Sequence, residues 1–381
     1  MSEPAYSATV ITRINDISEA DWDAQHPTGS HPFLSWRFLN ALEQSGSVTE
    51  ETGWAPRHIW LEDQAGAVVG AAPLYAKTHS QGEYVFDQGW ADALYRAGGD
   101  YYPKLQCSVP FTPATGPRLL SQTDEGKQAL LMAMVQACND WGYSGVHLTF
   151  LNSLDSTIVD AAGFMAREDR QFHFINRGYS GFDDFLAKLS SRKRKNIRKE
   201  RRAAQEGVII KRLTGDDLHP EHWDVFYQCY MDTGARKWGR PYMTREFFDI
   251  MQQVMRDDIV LVMAWMDGTP IAAALNFIGS DALYGRNWGS LAHKAFLHFE
   301  LCYYQAIEAG IELGVPKVEA GAQGEHKLAR GYEPVVTRSA HYLAHPGLRH
   351  AVDDYLTRER RAVDHEVNIL AKHTPFKKRP S

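Results

Sequence analysis

The sequence is poor in cysteine, has no long apolar run and carries no overall excess of positive charge. Its 381 residues include four cysteines, Cys107, Cys138, Cys229 and Cys302, and no two stand at a paired spacing. That excludes a disulfide-built scaffold and a zinc ribbon, and it fits a reducing compartment. The longest wholly apolar stretch, 259–266, has the length of a strand and falls far short of a bilayer span. No apolar run follows a basic start in residues 1–16, so no secretory signal is read there and a cytoplasmic protein is expected. With 30 glycines and 17 prolines the chain is neither collagenous nor of low complexity, and 44% hydrophobic residues suffice for a sizeable core. At roughly 150 residues per domain, the length suggests two domains or one plan used twice.

Charge is unevenly placed. Residues 192–202 (RKRKNIRKERR) hold eight basic residues and one acid, so this segment is +7 within a chain of net charge −6 and the remainder is −13. A pI of 6.2 argues against a general nucleic-acid coat and leaves a local basic site.

The periodicity of the second half predicts a charged helix over 186–206 ended by Gly207, then a strand at 208–213. Helices at 222–231 and 244–255 follow. Asp267-Gly268 marks a hairpin between strands 259–266 and 270–278, because both positions tolerate positive φ. A third strand (282–288), a long helix (295–313), a strand (317–322), a helical turn (325–329) and a last strand (335–343) complete a β-α-α-β-β-β-α-β-α-β order. Antiparallel hairpins joined to a helical crossover predict an α/β fold with a mixed sheet.

The first half reads in the same order. A strand at 9–14 precedes helices at 19–24 and 33–43, a hairpin at 58–62 and 67–76, and a third strand at 83–88. Helix 124–141, strand 146–151, helix 156–162 and strand 165–176 follow. Gly70-Ala71-Ala72-Pro73-Leu74-Tyr75 matches Ala272-Ala273-Ala274-Leu275-Asn276-Phe277 in place, which supports a tandem duplication. The expected domains are 1–180, 181–346 opened by the basic helix, and a C-terminal helix with a basic tail at 347–381. Only the first half carries an insertion, 91–122, whose proline- and aromatic-rich centre suggests a stiff lid or binding wall closing over the site from the first domain.

This doubled order resembles two tandem GNAT (Gcn5-related N-acyltransferase) domains, as in the FemABX peptidyltransferases. The segment from Ser190 to Lys199 resembles the basic opening of the second domain in that group. The whole chain is similar to the FemAB-like bacterial proteins of peptidoglycan biosynthesis or recognition. Pro110-Phe111-Thr112-Pro113, Leu283-Tyr284-Gly285-Arg286, the helix from Leu297 to Tyr304 and Gly321-Ala322-Gln323-Gly324-Glu325-His326-Lys327 carry the match. The resemblance implies an acyltransferase that moves an acyl or aminoacyl group from an activated donor, acyl-CoA or aminoacyl-tRNA, to a small-molecule amine acceptor. A non-catalytic binding module of the same fold is the reading from another class. The Gln/Arg-x-x-Gly-x-Gly/Ala loop that holds the pyrophosphate of acyl-CoA is absent after both third strands, which counts against acetyl-CoA; no bound cofactor is expected, and acyl-CoA enters only as a co-substrate.

Acyl transfer to an amine needs a base, donors for an oxyanion and a clamp for an anionic donor. Glu300, on an otherwise apolar helix stripe, Glu319 at a strand end, Glu325 and His326 after a glycine-rich turn are candidate bases. Tyr332 or Tyr303 is the candidate proton donor to a leaving group. Arg286, Trp288, Gln323, Lys327 and Arg330 are expected around donor and acceptor, with Lys104, Phe111 and Thr112 from the first domain and Arg194 and Arg198 as a phosphate track. His293 and Lys294 stand at the start of the long helix, where free N–H groups face an anion. Cys302 lies four residues from His298, a spacing that also suits core packing. No grouping has metal-ligand spacing, so no metal is expected.

Overall fold

The computed structural model describes residues 6–26, 31–237, 241–321 and 324–377. The chain forms two compact units, one of Met1–Asp169 with Val336–His365 and one of Arg170–Val335 with Glu366–Ser381.

In the first unit, strands Tyr6–Ile11, His58–Asp63 and Val68–Ala72 form an antiparallel sheet in the order 6–11, 58–63, 68–72. A second sheet runs Trp54–Pro56, Leu74–Lys77, Lys104–Cys107, Gly145–Leu151, with 104–107 and 145–151 parallel and the other neighbours antiparallel. Residues 338–343 of strand Glu333–Leu343 add to it, antiparallel to 145–151. Side chains alternate along these strands. Leu105, Cys107, Val146 and Leu148 meet Leu130, Leu131 and Met134 of helix Asp124–Asp140 in the core. That helix starts where sequence says it should: the Thr123 hydroxyl accepts from the Gly126 N–H, and Asp124 and Glu125 fill the first turn.

In the second unit, strands Ile209–Leu213, Ile259–Met266, Thr269–Ile278 and Leu283–Ser290 pair antiparallel in chain order. Asp267 (φ 52°) and Gly268 (φ 77°) make the expected hairpin turn. Lys317–Glu319 runs parallel to the fourth of these strands, and residues 173–175 of Met165–Ile175 pair antiparallel with 317–319. Helical segments from Leu297 to Glu312 cover the face that holds Val260, Val262, Ala272, Ala274, Leu283 and Val318.

Two GNAT-like element orders therefore stand in one mixed α/β chain, with one exchange: the strand that ends each repeat pairs with a strand of the other repeat, so residues 173–175 belong to the second unit and 338–343 to the first. Local patterning differs from expectation at three places. Residues 83–87 form no strand, because Glu83 and Asp87 turn inward to a buried lysine. Segment 91–122 is not an open loop; it contains part of helix Gln88–Arg96 and the strand Lys104–Cys107. The basic helix is broken into Phe182–Lys188 and Ser191–Gln205, since Leu189 turns extended to bridge Phe376. Among the described residues no helix is long and apolar enough to cross a membrane.

Candidate functional site

The parallel ladder of the second unit is short. Leu283 faces Val318 and Tyr284 faces Glu319, after which strand 283–290 continues while 317–319 has ended. A bulge falls just there, since Asn276 faces Gly285 whereas Ala274 faces Trp288, so Arg286 and Asn287 are squeezed out of the antiparallel ladder. Gly285 permits the close approach: a Cβ at this position would lie 3.2 Å from Asn276 Oδ1 and 3.3 Å from the Glu319 carbonyl. The strands part beyond it, and a pocket of about 70 Å³ opens, lined by Asn276, Gly285, Arg286, Asn287, Trp288, His298, Cys302, Tyr303 and Ala320 among others. A second pocket of about 380 Å³ shares Trp288 and His298 and adds His293, Lys294, Phe296 and Phe299.

The helix over this opening is irregular. Leu297–Phe299 leads into one widened turn, Glu300–Tyr304, before regular helix resumes at Gln305–Glu312. Widened turns of this kind recur at functional sites because they rotate the following side chains out of register. Glu300 is completely buried, yet it does not stand alone on its apolar stripe. Arg201 of the basic helix donates from Nε (3.0 Å) and Nη2 (2.9 Å), Gln205 donates at 2.9 Å and Gln305 at 2.8 Å. The same guanidinium reaches Glu308 at 2.9 and 3.0 Å. Burial works against the charge on Arg201, but Glu308 and Glu300 outweigh it and hold the guanidinium well above its usual value. A carboxylate held by four donors is a fastener between two helices.

One turn on, Tyr303 and His326 meet, with the phenol oxygen 2.8 Å from Nε2. Tyr303 is buried, which pushes its hydroxyl above the ordinary value, whereas His326 is exposed. His298 lies against Trp288 (ring centroids 4.7 Å) and Tyr303 (5.2 Å). Arg330 is fixed over the Phe299 ring at 3.4 Å, donates to the His326 carbonyl at 2.7 Å and takes both oxygens of Glu200 at 3.0 Å. Tyr304 donates to the same Glu200. Lys327 is buried, and among the described residues its Nζ bonds only the Gly321 carbonyl, at 2.8 Å. Burial brings this amine down to about 8. Tyr332 is fully buried, and its hydroxyl is 3.4 Å from the Tyr303 carbonyl.

The predicted residues thus fall into separate groups. Arg286, Trp288, His326, Lys327, Arg330 and Tyr303 gather in the second unit. Glu319 belongs to the opposite face of its strand from the core residue Val318: Lys317 donates to one oxygen at 2.7 Å, His173 Nδ1 is 3.8 Å away, and among the described residues Oε2 has no partner. Arg194 and Arg198 lie on the outer arc of the basic helix, where Arg198 meets the exposed Asp183 at 3.0 Å. In the first unit, Lys104 is fully buried between Glu83 (2.7 Å) and Asp87 (2.5 Å). Phe111 and Thr112 are also buried, the Thr112 hydroxyl bonded to Pro110. Gln323 lies outside the described residues. Among the described residues no group of three or more His, Cys, Asp or Glu could hold a metal ion. Sequence reading missed Arg201 and Glu200 as organisers; the alternation of Glu200 with arginines on one helix was the available signal.

The fold is similar to that of several solved structures. FemX aligns with TM-score 0.56 at 14% identity, covering 88% of this chain and 98% of its own. The C-terminal domain of a putative lysylphosphatidylglycerol synthetase from Agrobacterium fabrum aligns with TM-score 0.52 at 10% identity, covering 89% and 96%. A tandem GNAT protein from the clavulanic acid biosynthesis pathway aligns with TM-score 0.46 at 12% identity, covering 90% and 99%. No curated protein matches the chain in sequence. The model of the FemAB-like family, described as peptidoglycan biosynthesis/recognition, matches residues 13–378, and the chain belongs to that family.

Proposed function

We propose that this protein is a GNAT-fold transferase that moves an acyl or aminoacyl group from an activated donor to an amine on a peptidoglycan precursor, at the strand opening of the second unit. The observation that carries the reading is the Tyr303–His326 pair, in which Tyr303 lines that opening and its hydroxyl meets the exposed His326 at 2.8 Å. An amine enters as an ammonium and must lose a proton before it can attack; the exposed His326 is the acceptor for it. The bulged backbone at Arg286 and Asn287 lines the opening and faces the carbonyl oxygen that becomes an oxyanion. Collapse of the tetrahedral intermediate breaks the bond to the donor's thiol or ribose oxygen. The Tyr303 hydroxyl protonates that leaving atom and is refilled from His326, so one proton passes from amine to leaving group and the second leaves to solvent. Arg330 and Lys327 hold negative charge nearby, with Arg330 kept in place by Glu200 and Phe299. Glu300 has a positioning role through Arg201.

Family membership supports the cell-wall acceptor; the lack of a pyrophosphate loop counts against acetyl-CoA, so charged tRNA is tested as donor beside acyl-CoA. The test is to incubate the full chain with panels of acyl-CoAs and aminoacyl-tRNAs plus amine-bearing precursors, and to follow acceptor mass. Turnover that falls at least 100-fold in His326→Asn supports the assignment. Turnover unchanged in that variant removes the proton path, and binding of precursors without any transfer favours the binding-module reading.

A further inference from the structure

The outward arc of helix Ser191–Gln205 takes no part in the site described above. At 100° per residue, Arg194, Arg198, Arg202, Lys195, Lys199 and Arg192 fall within about 160° of one another, along a helix about 22 Å long. Ile197 and Ala204 turn the other way into the core, and Arg201 turns to Glu300. Among the described residues, Arg198 alone of these six has an acidic partner, the exposed Asp183. Five like charges without partners repel one another along the whole length, and the first turn is basic, where the helix dipole favours acids. Such a row costs stability unless something anionic covers it.

The surroundings narrow the partner. Residues 375–377 are stitched beside the start of the helix, with the Ser190 N–H donating to the Pro375 carbonyl and the Lys377 N–H to the Lys188 carbonyl, each at 3.0 Å. This adds the exposed Lys377 to the row. At the other end, Lys294 donates to the Glu206 carbonyl at 2.6 Å and ties down the loop 291–296. That loop exposes Leu291 and Phe296, 46% and 39% accessible, and Phe296 is held there at φ 62°, a backbone state that aromatic residues rarely adopt. Ile209, just past the helix, is 62% accessible. A polynucleotide has no use for exposed aliphatic side chains, and the row lacks aromatic residues on which bases stack. Cations beside accessible apolar tips are what an anionic lipid surface takes up, the cations at the headgroups and the tips at the acyl boundary.

We infer that this face is a docking surface for an anionic membrane, used reversibly and without insertion of a helix. The inference goes beyond the transferase reading and does not depend on it. The test is co-sedimentation of the full chain with vesicles of phosphatidylcholine alone or mixed equally with phosphatidylglycerol. We expect partitioning at least 20-fold stronger onto the anionic vesicles, lost in high salt. Each cation removed lowers it about fivefold, so Arg194→Gln/Arg198→Gln falls about 25-fold, and Leu291→Ser/Phe296→Ser falls about tenfold. Unchanged thermal unfolding shows that these exposed substitutions leave the fold intact. Equal partitioning onto both vesicles, or full binding by the arginine variant, overturns the proposal. So does a chain that ignores vesicles yet shifts a tRNA-sized RNA through the same two arginines.

Discussion

The two units use the same strand opening in opposite ways. In the second unit, strands 283–290 and 317–319 part after two residue pairs and the gap stays open. In the first unit, strands 104–107 and 145–151 part after Cys107 and Leu148, but the chain fills the gap itself. Gly116 donates to the Phe150 carbonyl at 3.0 Å and accepts from the Asn152 N–H at 3.1 Å, replacing the departed strand. The Arg118 guanidinium, fully buried, caps the carbonyls of Thr149, Ala114 and Pro117 at 2.8–2.9 Å. Asp155 takes the N–H groups of Arg118 and Leu119. The segment that sequence marks as a lid is, within its own unit, a plug. The gap is core in one repeat and open in the other.

The largest effect expected from this contrast is on stability. Arg118→Ala leaves buried carbonyls without donors and should cost about 4 kcal/mol in urea unfolding, whereas Arg286→Ala at the open gap should cost about 1 kcal/mol. Similar losses at the two positions would mean that both gaps are core.

Lys327 gives the next effect, through pH. Its folded value of about 8 lies below the ordinary lysine value, so the unfolded chain binds the proton more readily. Stability should therefore rise as pH increases from about 8 towards 10.5, and the burial penalty should be constant below 8. Lys327→Met removes that rise, and the difference in unfolding free energy between variant and parent should shrink by roughly 3 kcal/mol across this window. A constant difference would show that the amine is not desolvated.

Two tyrosines sharpen the comparison further. Tyr303→Phe at the open gap should lower turnover about 100-fold while shifting stability by less than about 1 kcal/mol. Tyr101→Phe in the first unit removes the bond from its hydroxyl to Asp87 (2.7 Å) and should do the reverse, costing about 1.5 kcal/mol with turnover unchanged. The smallest effect belongs to Arg198→Ala, whose exposed pair with Asp183 should contribute less than about 0.5 kcal/mol to stability.

Much of the architecture was legible because it is written in short-range terms. The Asp267-Gly268 turn and the unbroken apolar run of 259–266 each needed only a few neighbouring residues. What escaped depended on distant partners. Glu300 read as a carboxylate on an apolar stripe, and its true partner went unread because Arg201 stands 99 residues away. Glu83 and Asp87 read as part of a strand because nothing nearby announces their bond to Lys104. The plug read as a lid because proline and aromatic residues suit a stiff exposed wall and a packed one equally; only Arg118, a charge amid apolar residues with no acid beside it, hinted at buried carbonyls to be satisfied. At the site, sequence placed Trp288, His326, Lys327 and Arg330 in one neighbourhood through the glycine-rich turn and the third strand. It had no means to show that the carboxylate of Glu319 takes the other side of its strand, since parity depends on where a three-residue ladder begins.

The exchange of terminal strands has a consequence for how the molecule is made. Residues 338–343 supply the neighbour of 145–151, so the chain must be made through residue 343 before the first unit can close its sheet. Until then the first repeat waits, half-built and with a bare edge. A gene truncated after the first repeat would encode that unfinished edge and no independent protein.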